Sequence, residues 1–594
     1  MCAINGSFAY GPDAPPVDRS ELLRVRDAMT ARGPDAAGLW LSEDARVGFA
    51  HRRLAIIDLS EGGAQPMLDP ETGNWICFNG EIYNHQALRA RLNSQGVTTR
   101  TQSDTEVLLK LYAKRGTGMF EDLRGMYAFA LWDAGRRDLL LARDPFGIKP
   151  LYVADDGRTV RFASQVKPLL LTPVDRRPEP AGHAGFLLWG SVPEPFTLHR
   201  GIRALPPGHW QRFGSGRATP PVKFADVTDA LSHLPSAPKG RADDAIDQIA
   251  AAVKDSVAAH MVADVPVGVF LSAGLDSTML AACAAHGGEL RTLTLGFNEY
   301  ADSPHDEAGL ADEVAGLLHA RHTLHRIAAH DFESDRGRLI EAMDQPSIDG
   351  INVWFVSRAA AAQGLKVAIS GLGGDELFGS YPSFDQVPKL VRLMQRTPVS
   401  ERAGVLLRRL AQPFASLMPS PKYAGLVEYG HSLAGAYLLR RALHMPWELA
   451  DLMDPAMAKE GLQELSTMDR LKASIHGLDR DRLAVSALEM QWYMRNQLLR
   501  DADWAGMAHS LEIRVPLVDL HLLRDFVELP ELDAANEKRT IVRRVAPHLP
   551  ESVLNRPKTG FSVPIHQWLN PGASRGVMQY RDWAKQLYGH FAAA

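Results

Sequence analysis

From residue 2 to about 213, apolar positions come in short bursts closed by turn formers. Trp75-Ile76-Cys77-Phe78 runs into Asn79-Gly80, and residues 127–132 (YAFALW) run into Asp133. Bursts of this length and composition predict strands. Two stretches, 21–30 and 105–115, instead repeat apolar residues at three- and four-residue spacing and predict helices. The first half, 2–213, is therefore expected to be an α+β unit. Over 214–241 the periodicity disappears and Pro, Gly, Ser and Ala collect, which predicts a linker. In the second half, 242–594, strand candidates at 265–271, 290–297 and 365–369 alternate with long helical patterns. That alternation predicts an α/β parallel sheet covered by helices, with a mostly helical part after about residue 388.

Composition adds little to the pattern and contradicts none of it. The 594 residues exceed one hydrophobic core, while 45% hydrophobic and 23% charged content is ordinary for globular domains. A net charge of -5 gives no basic field, so neither nucleic acid nor membrane phosphate is expected as a partner. Three cysteines are too few for a disulfide scaffold. No basic segment leads into an apolar core at the N-terminus, and no apolar run approaches about 18 residues. A cytoplasmic protein is expected.

Candidate chemistry begins at Cys2. A small second residue favours removal of the initiator methionine, which would leave a thiol beside a free α-amine. Such an amine, with a pKa near 7.7–8.0, can take the thiol proton. Downstream lie Arg32-Gly33-Pro34-Asp35, the segment 51–58 (HRRLAIID), Asn79-Gly80-Glu81-Ile82-Tyr83-Asn84 and Ser103-Asp104-Thr105-Glu106. Arginine can clamp a carboxylate, acids can hold an ammonium, and an Asn amide with a Gly N–H can face an oxyanion.

Together with the 143–152 stretch (RDPFGIKPLY), these ordered motifs resemble class II glutamine amidotransferases of the asparagine synthetase family. The resemblance implies an N-terminal nucleophile αββα sandwich, with Cys2 as nucleophile and Asn79 and Gly80 as oxyanion hole. It further implies that Arg53 clamps the glutamine carboxylate, that Leu54, Ala55, Ile56 and Ile57 line the site, and that Glu81 and Asp104 bind its amino end. Arg32 and Asp35 fit either a structural ion pair or a substrate contact. Tyr83 and Asn84 read as scaffold.

A second constellation is Leu271-Ser272-Ala273-Gly274-Leu275-Asp276-Ser277, small residues between an apolar strand and a helical pattern. Backbone N–H groups at such a turn, with the helix terminus, can hold phosphate. It lacks the Walker lysine and resembles the loop of ATP pyrophosphatases, with Ala273 replacing a glycine. Ser370-Gly371-Leu372-Gly373-Gly374-Asp375-Glu376 is similar to a second loop of that family. By this resemblance, Leu271, Leu295, Ser370 and Gly371 contact ATP and residues 272–277 hold pyrophosphate. Asp276 and Asp375 lie at Mg²⁺, while Leu372, Asp375, Glu376 and Arg514 border the acceptor or adenylate. Asp344, Asp503, the 507–519 segment and the 556–564 segment also match. Lys538 corresponds to a phosphate-binding lysine, although Arg539 competes for the register, and a buried pair with Glu512 is the alternative for Arg514.

The resemblance implies an enzyme that consumes glutamine and ATP to amidate a carboxylate. Aspartate is the default acceptor, ammonia is expected to pass internally by a dry route, and a homodimer is suggested. Many asparagine synthetases carry glutamate or another polar residue where this chain has Leu372, so amidation of a different carboxylate is the alternative. A non-catalytic glutamine- or nucleotide-binding regulator is the alternative of another class.

Overall fold

The computed structural model describes residues 2–214, 216–232, 242–285, 288–303, 305–397, 401–411, 420–527, 534–556, 563–569 and 578–593. The first half contains two antiparallel sheets. In one, Ala3–Ala9 lies between Val47–Arg53 and Thr159–Ala163. In the other, Gly125–Asp133 lies between Trp75–Ile82 and Asp138–Arg143. Ile4, Phe8, Phe49 and Phe162 from the first sheet share a buried cluster with Ala128, Ala130, Leu139 and Leu141 from the second. Arg19–Asp27 and Val166–Leu169 cover one outer face, and His85–Ser94 and Asp104–Arg115 the other. Period-two strands each bury one face between the sheets and the other under a helix, which produces the αββα layering.

The second half holds a five-stranded parallel sheet ordered Arg321–Ile327, Arg291–Phe297, Val267–Phe270, Val367–Ile369, Glu512–Arg514. The order reverses between Val267–Phe270 and Val367–Ile369. A crevice opens at the carboxyl ends of strands at such a switch point, and both predicted loops leave from those ends. Among the described residues, no helix is long and apolar enough to cross a membrane.

Three features depart from the sequence pattern. Asn79-Gly80 forms no turn but sits within Trp75–Ile82, in register with Ala128 and Tyr127. A Cβ at Gly80 would meet the Met126 carbonyl at 2.1 Å, so only glycine fits against the neighbouring strand. Arg321–Ile327 and Glu512–Arg514 were not anticipated as strands. The first is an edge strand carrying two arginines and two histidines, the polar dress of an edge, and the second is too short to show a period. Of the segment read as a linker, Arg217–Ala218 and Val222–Lys223 pair with His209–Gly214, while Val227–Ser232 packs into the second half's core. Residues 233–241 lie outside the described residues.

Candidate active site

The register Ala3↔Arg52 brings Cys2 beside Arg53 at a strand end, and the facing sheet delivers Asn79. The Cys2 backbone nitrogen donates to Asn79 Oδ1 at 3.0 Å. That bond orients the amide, and Asn79 Nδ2 is left buried without a hydrogen-bond partner. A buried unpaired donor beside a thiol matches what a developing oxyanion requires. Burial pushes the Cys2 thiol above its ordinary value.

Arg53 Nη1 donates to the Ser60 carbonyl at 2.8 Å, and Nη2 donates to the carbonyls of Ile57 and Asp58. These bonds use three of five guanidinium donors, fix the 54–58 loop around the group and leave two N–H groups. Asp104, under its Ser103 cap, accepts from Ile82 N at 3.0 Å, and burial raises its carboxyl. Glu81 is buried with Oε2 lacking a hydrogen-bond partner. Burial, then the Glu512 carboxylate, push Glu81 well above the ordinary range, with Arg514 pulling the other way. Two desolvated carboxylates side by side suit an ammonium group.

This arrangement fixes a sign. Below its raised pKa Glu81 is protonated and cannot hold an ammonium, so if it receives the amino end of glutamine, binding is expected to strengthen as pH rises through that value and to release a proton. The KM for glutamine should therefore fall with rising pH. In Glu81→Gln it should be higher and vary less with pH, as steady-state kinetics across pH will show.

At the switch point, Ser272 N donates to Ser277 Oγ at 3.1 Å, and the two hydroxyls lie 3.1 Å apart. Ala273, where the family pattern has glycine, takes a left-handed φ of 51°. Helix Leu275–Ala284 then starts, its first N–H groups facing the crevice end of the strand. The second loop approaches so closely that a Cβ at Gly374 would meet Asp276 Oδ1 at 2.4 Å. Lys538 Nζ joins the loops, 2.5 Å from Asp276 Oδ2 and 3.1 Å from Asp375 Oδ1. Burial lowers its affinity for the proton, but the two carboxylates hold the ammonium above its ordinary value. Arg539 turns away to the Leu554 carbonyl, so the register resolves to Lys538.

Leu271 is buried at the strand end and Leu295 lies in the core cluster of Phe297 and Ile327. The Ser370 nitrogen bonds the Arg514 carbonyl at 2.9 Å, and Gly371 lies over Asp276. The Leu372 side chain packs against the apolar core. Glu376, fully buried beside Asp375, is pushed up to about 8 by burial and then by Asp375, and Tyr381 donates to its Oε1 at 3.1 Å.

Arg514 was expected at the acceptor or adenylate. Its guanidinium instead points to the glutamine side, with Nε on Glu512 at 2.6 Å, Nη1 on the His260 and Val262 carbonyls at 2.7 Å each, and Nη2 3.6 Å from Glu81. Arg32 and Asp35 resolve the same way, toward ion pairs with Asp503 at 2.6 Å and Lys366 at 2.7 Å. Asp35 also accepts from Ala55 N, and Asp264 bonds both sides of Ile57, through Ile56 O and Asp58 N. The sequence had no signal for Asp264 or Lys366. Asp344 accepts from Val166 and Lys167 N–H groups across the same interface. A cavity between the halves is lined by Arg143, Glu194, Asp344, Arg495, Arg500 and Asp503 together with Ile148, Pro150, Tyr152 and Trp504. Residues 557–562 of the 556–564 segment lie outside the described residues.

A family model described as a glutamine amidotransferase domain matches residues 1–224, and one described as asparagine synthase matches residues 248–587. The putative glutamine-hydrolysing asparagine synthetase of Mycobacterium tuberculosis is 34% identical over 98% of this chain and 88% of that protein. The chain belongs to the asparagine synthetase family. As a member of that family it is an amide-forming ligase with a glutamine amidotransferase half. Asparagine synthetase 1 of Bacillus subtilis is 32% identical over 96% of the chain and 88% of its own length. The family's range in names is wider, since the amidase chry2 of Gibberella zeae is 30% identical over 96% of the chain and 90% of its own.

Proposed function

We propose that the protein is a glutamine-hydrolysing asparagine synthetase, converting ATP, aspartate, glutamine and water to asparagine, AMP, pyrophosphate and glutamate. The observation that carries the glutamine half is the buried, unpaired Asn79 Nδ2 next to Cys2. After methionine removal the α-amine takes the Cys2 thiol proton, and sulfur attacks the glutamine side-chain carbonyl. Asn79 Nδ2 and Gly80 N–H stabilise the oxyanion. Ammonia leaves with a proton from the α-ammonium, and water hydrolyses the thioester. Glu81 and Asp104 hold the substrate ammonium, and the two remaining Arg53 N–H groups serve its carboxylate.

At the second site a carboxylate oxygen attacks the α-phosphorus of ATP. Ser272, Ser277, the 273–277 N–H groups and Lys538 bind the departing pyrophosphate. Ammonia then attacks the acyl carbon of the adenylate and AMP leaves. Ammonia passes between the halves without entering bulk water, where most of it would be protonated. Asp276 and Asp375, on facing loops, fit Mg²⁺, which uses one or two carboxylates plus phosphate oxygens. When bound, it would neutralise phosphate charge. A fuller protein cage is not needed, and no group of three candidate ligands occurs among the described residues.

Leu372 favours a second reading in which the acceptor is another carboxylate. Its side chain packs in the core and moves no proton, while the nearest buried acid of the loop is Glu376. Incubation with glutamine, Mg·ATP and a panel of carboxylic acids, with product identification and ATP/pyrophosphate exchange, tests both. Asparagine formation supports the first reading. Exchange with another acid and none with aspartate rejects it in favour of the second.

A further inference from the structure

Arg32 spreads its guanidinium over both halves of the molecule. It is 2% exposed, and its Nε donates to the Cys2 carbonyl at 3.4 Å. Its Nη1 and Nη2 donate to Asp503 Oδ2 and Oδ1 at 2.6 and 3.0 Å, a fork on a carboxylate that is itself buried. Cys2 is thus gripped at both ends of its backbone: the nitrogen by Asn79 of its own half, the carbonyl by an arginine whose orientation the other half fixes. A planar guanidinium held by two carboxylate oxygens has little rotational freedom, so the position of its Nε follows from the position of Asp503.

Asp503 also stands on a long element. Helix Asp481–Leu488 passes through the π-helical Glu489–Leu499 into helix Arg500–Met507 without a break. Near its start, Ser486 Oγ donates to the Glu376 carbonyl at 2.8 Å, beside the second nucleotide loop. Ser486 and Asp503 thus stand toward opposite ends of one rod. π-Helical turns within helices are frequent at functional sites.

We propose that Asp503 is a positioning residue for the Cys2 thiol, acting through Arg32, so that the second half supplies part of the order the glutaminase nucleophile needs. The proposal rests on Cys2 being that nucleophile. Asp503→Asn in the full chain keeps the shape and one acceptor but removes the charge and the symmetric fork. Glutamine hydrolysis should lose roughly ten- to hundred-fold in kcat, as misplacement of a reacting group by an ångström does. Its KM for glutamine should stay near wild type, and amide synthesis from ammonium chloride should keep its wild-type rate. Asp503→Glu should recover part of the loss.

Arg32→Lys, which keeps the charge but cannot reach both partners with a fork, should show the same selective loss. This second variant matters if Asp503→Asn folds poorly. An unchanged kcat for glutamine hydrolysis in both variants overturns the proposal. So does an equal loss of glutamine- and ammonia-dependent rates, which marks a purely structural pair. A wild-type protein whose glutamine hydrolysis survives Cys2→Ala would instead overturn the reading of Cys2, and the proposal with it.

Discussion

Cys2→Ala is expected to form its amide product from ammonium salts at the wild-type rate and to form almost none from glutamine. Removing a covalent nucleophile that works as one unit with its base and oxyanion donors costs about a million-fold in turnover. The thiol is small and the position is gripped through backbone atoms, at Asn79 and Arg32, so alanine leaves both contacts in place. The second site lies on a different sheet. Glutamate release and amide formation, followed separately with glutamine and with ammonium chloride, check both arms. Loss of the ammonia-dependent rate as well would mean that the thiol does more than hydrolyse glutamine.

Lys538→Met should reverse the pattern. Its ammonium bridges Asp276 and Asp375, two acids on facing loops that would otherwise repel each other and any phosphate between them. Methionine keeps the length of the stem but supplies no cation. ATP/pyrophosphate exchange is expected to fall about 10²- to 10³-fold, the usual loss for one fixed stabilising group, while glutamine hydrolysis persists. Added Mg²⁺ should restore part of the exchange, because a divalent ion can relieve the same repulsion. Exchange at the wild-type rate would remove Lys538 from the site.

The parts legible in the sequence are those written within one short segment. The strand, small-residue turn and helix over 267–284 form as their pattern predicts, because a buried strand, a tight turn and a helix start each leave a local mark. Cys2, Arg53, Asn79, Glu81 and Asp104, read in order from the sequence, also come together in the fold. What stayed illegible depends on partners far along the chain. Arg32 meets Asp503 at a separation of 471 residues and Lys366 meets Asp35 at 331, and no periodicity reports such pairs. Arg514 was itself assigned to the acceptor or adenylate region, yet its guanidinium is held by Glu512 and the His260 and Val262 carbonyls. Asn79-Gly80 misled for the opposite reason: its turn propensity is real, but pairing with Ala128 and Tyr127 keeps it within the strand.

The ion pairs that cross from the first half to the second also bear on how such a chain can be recombined. Arg32 with Asp503, Asp35 with Lys366, Arg124 with Asp519, and Glu81 near Arg514 all join residues that a cut near the middle would separate. A glutaminase half grafted from a relative brings one member of each pair and must find the other already waiting, in the right place and of the right sign. A chimera is therefore a problem of matching complementary charges across a seam, and the two halves are exchangeable only in company with the residues that answer them.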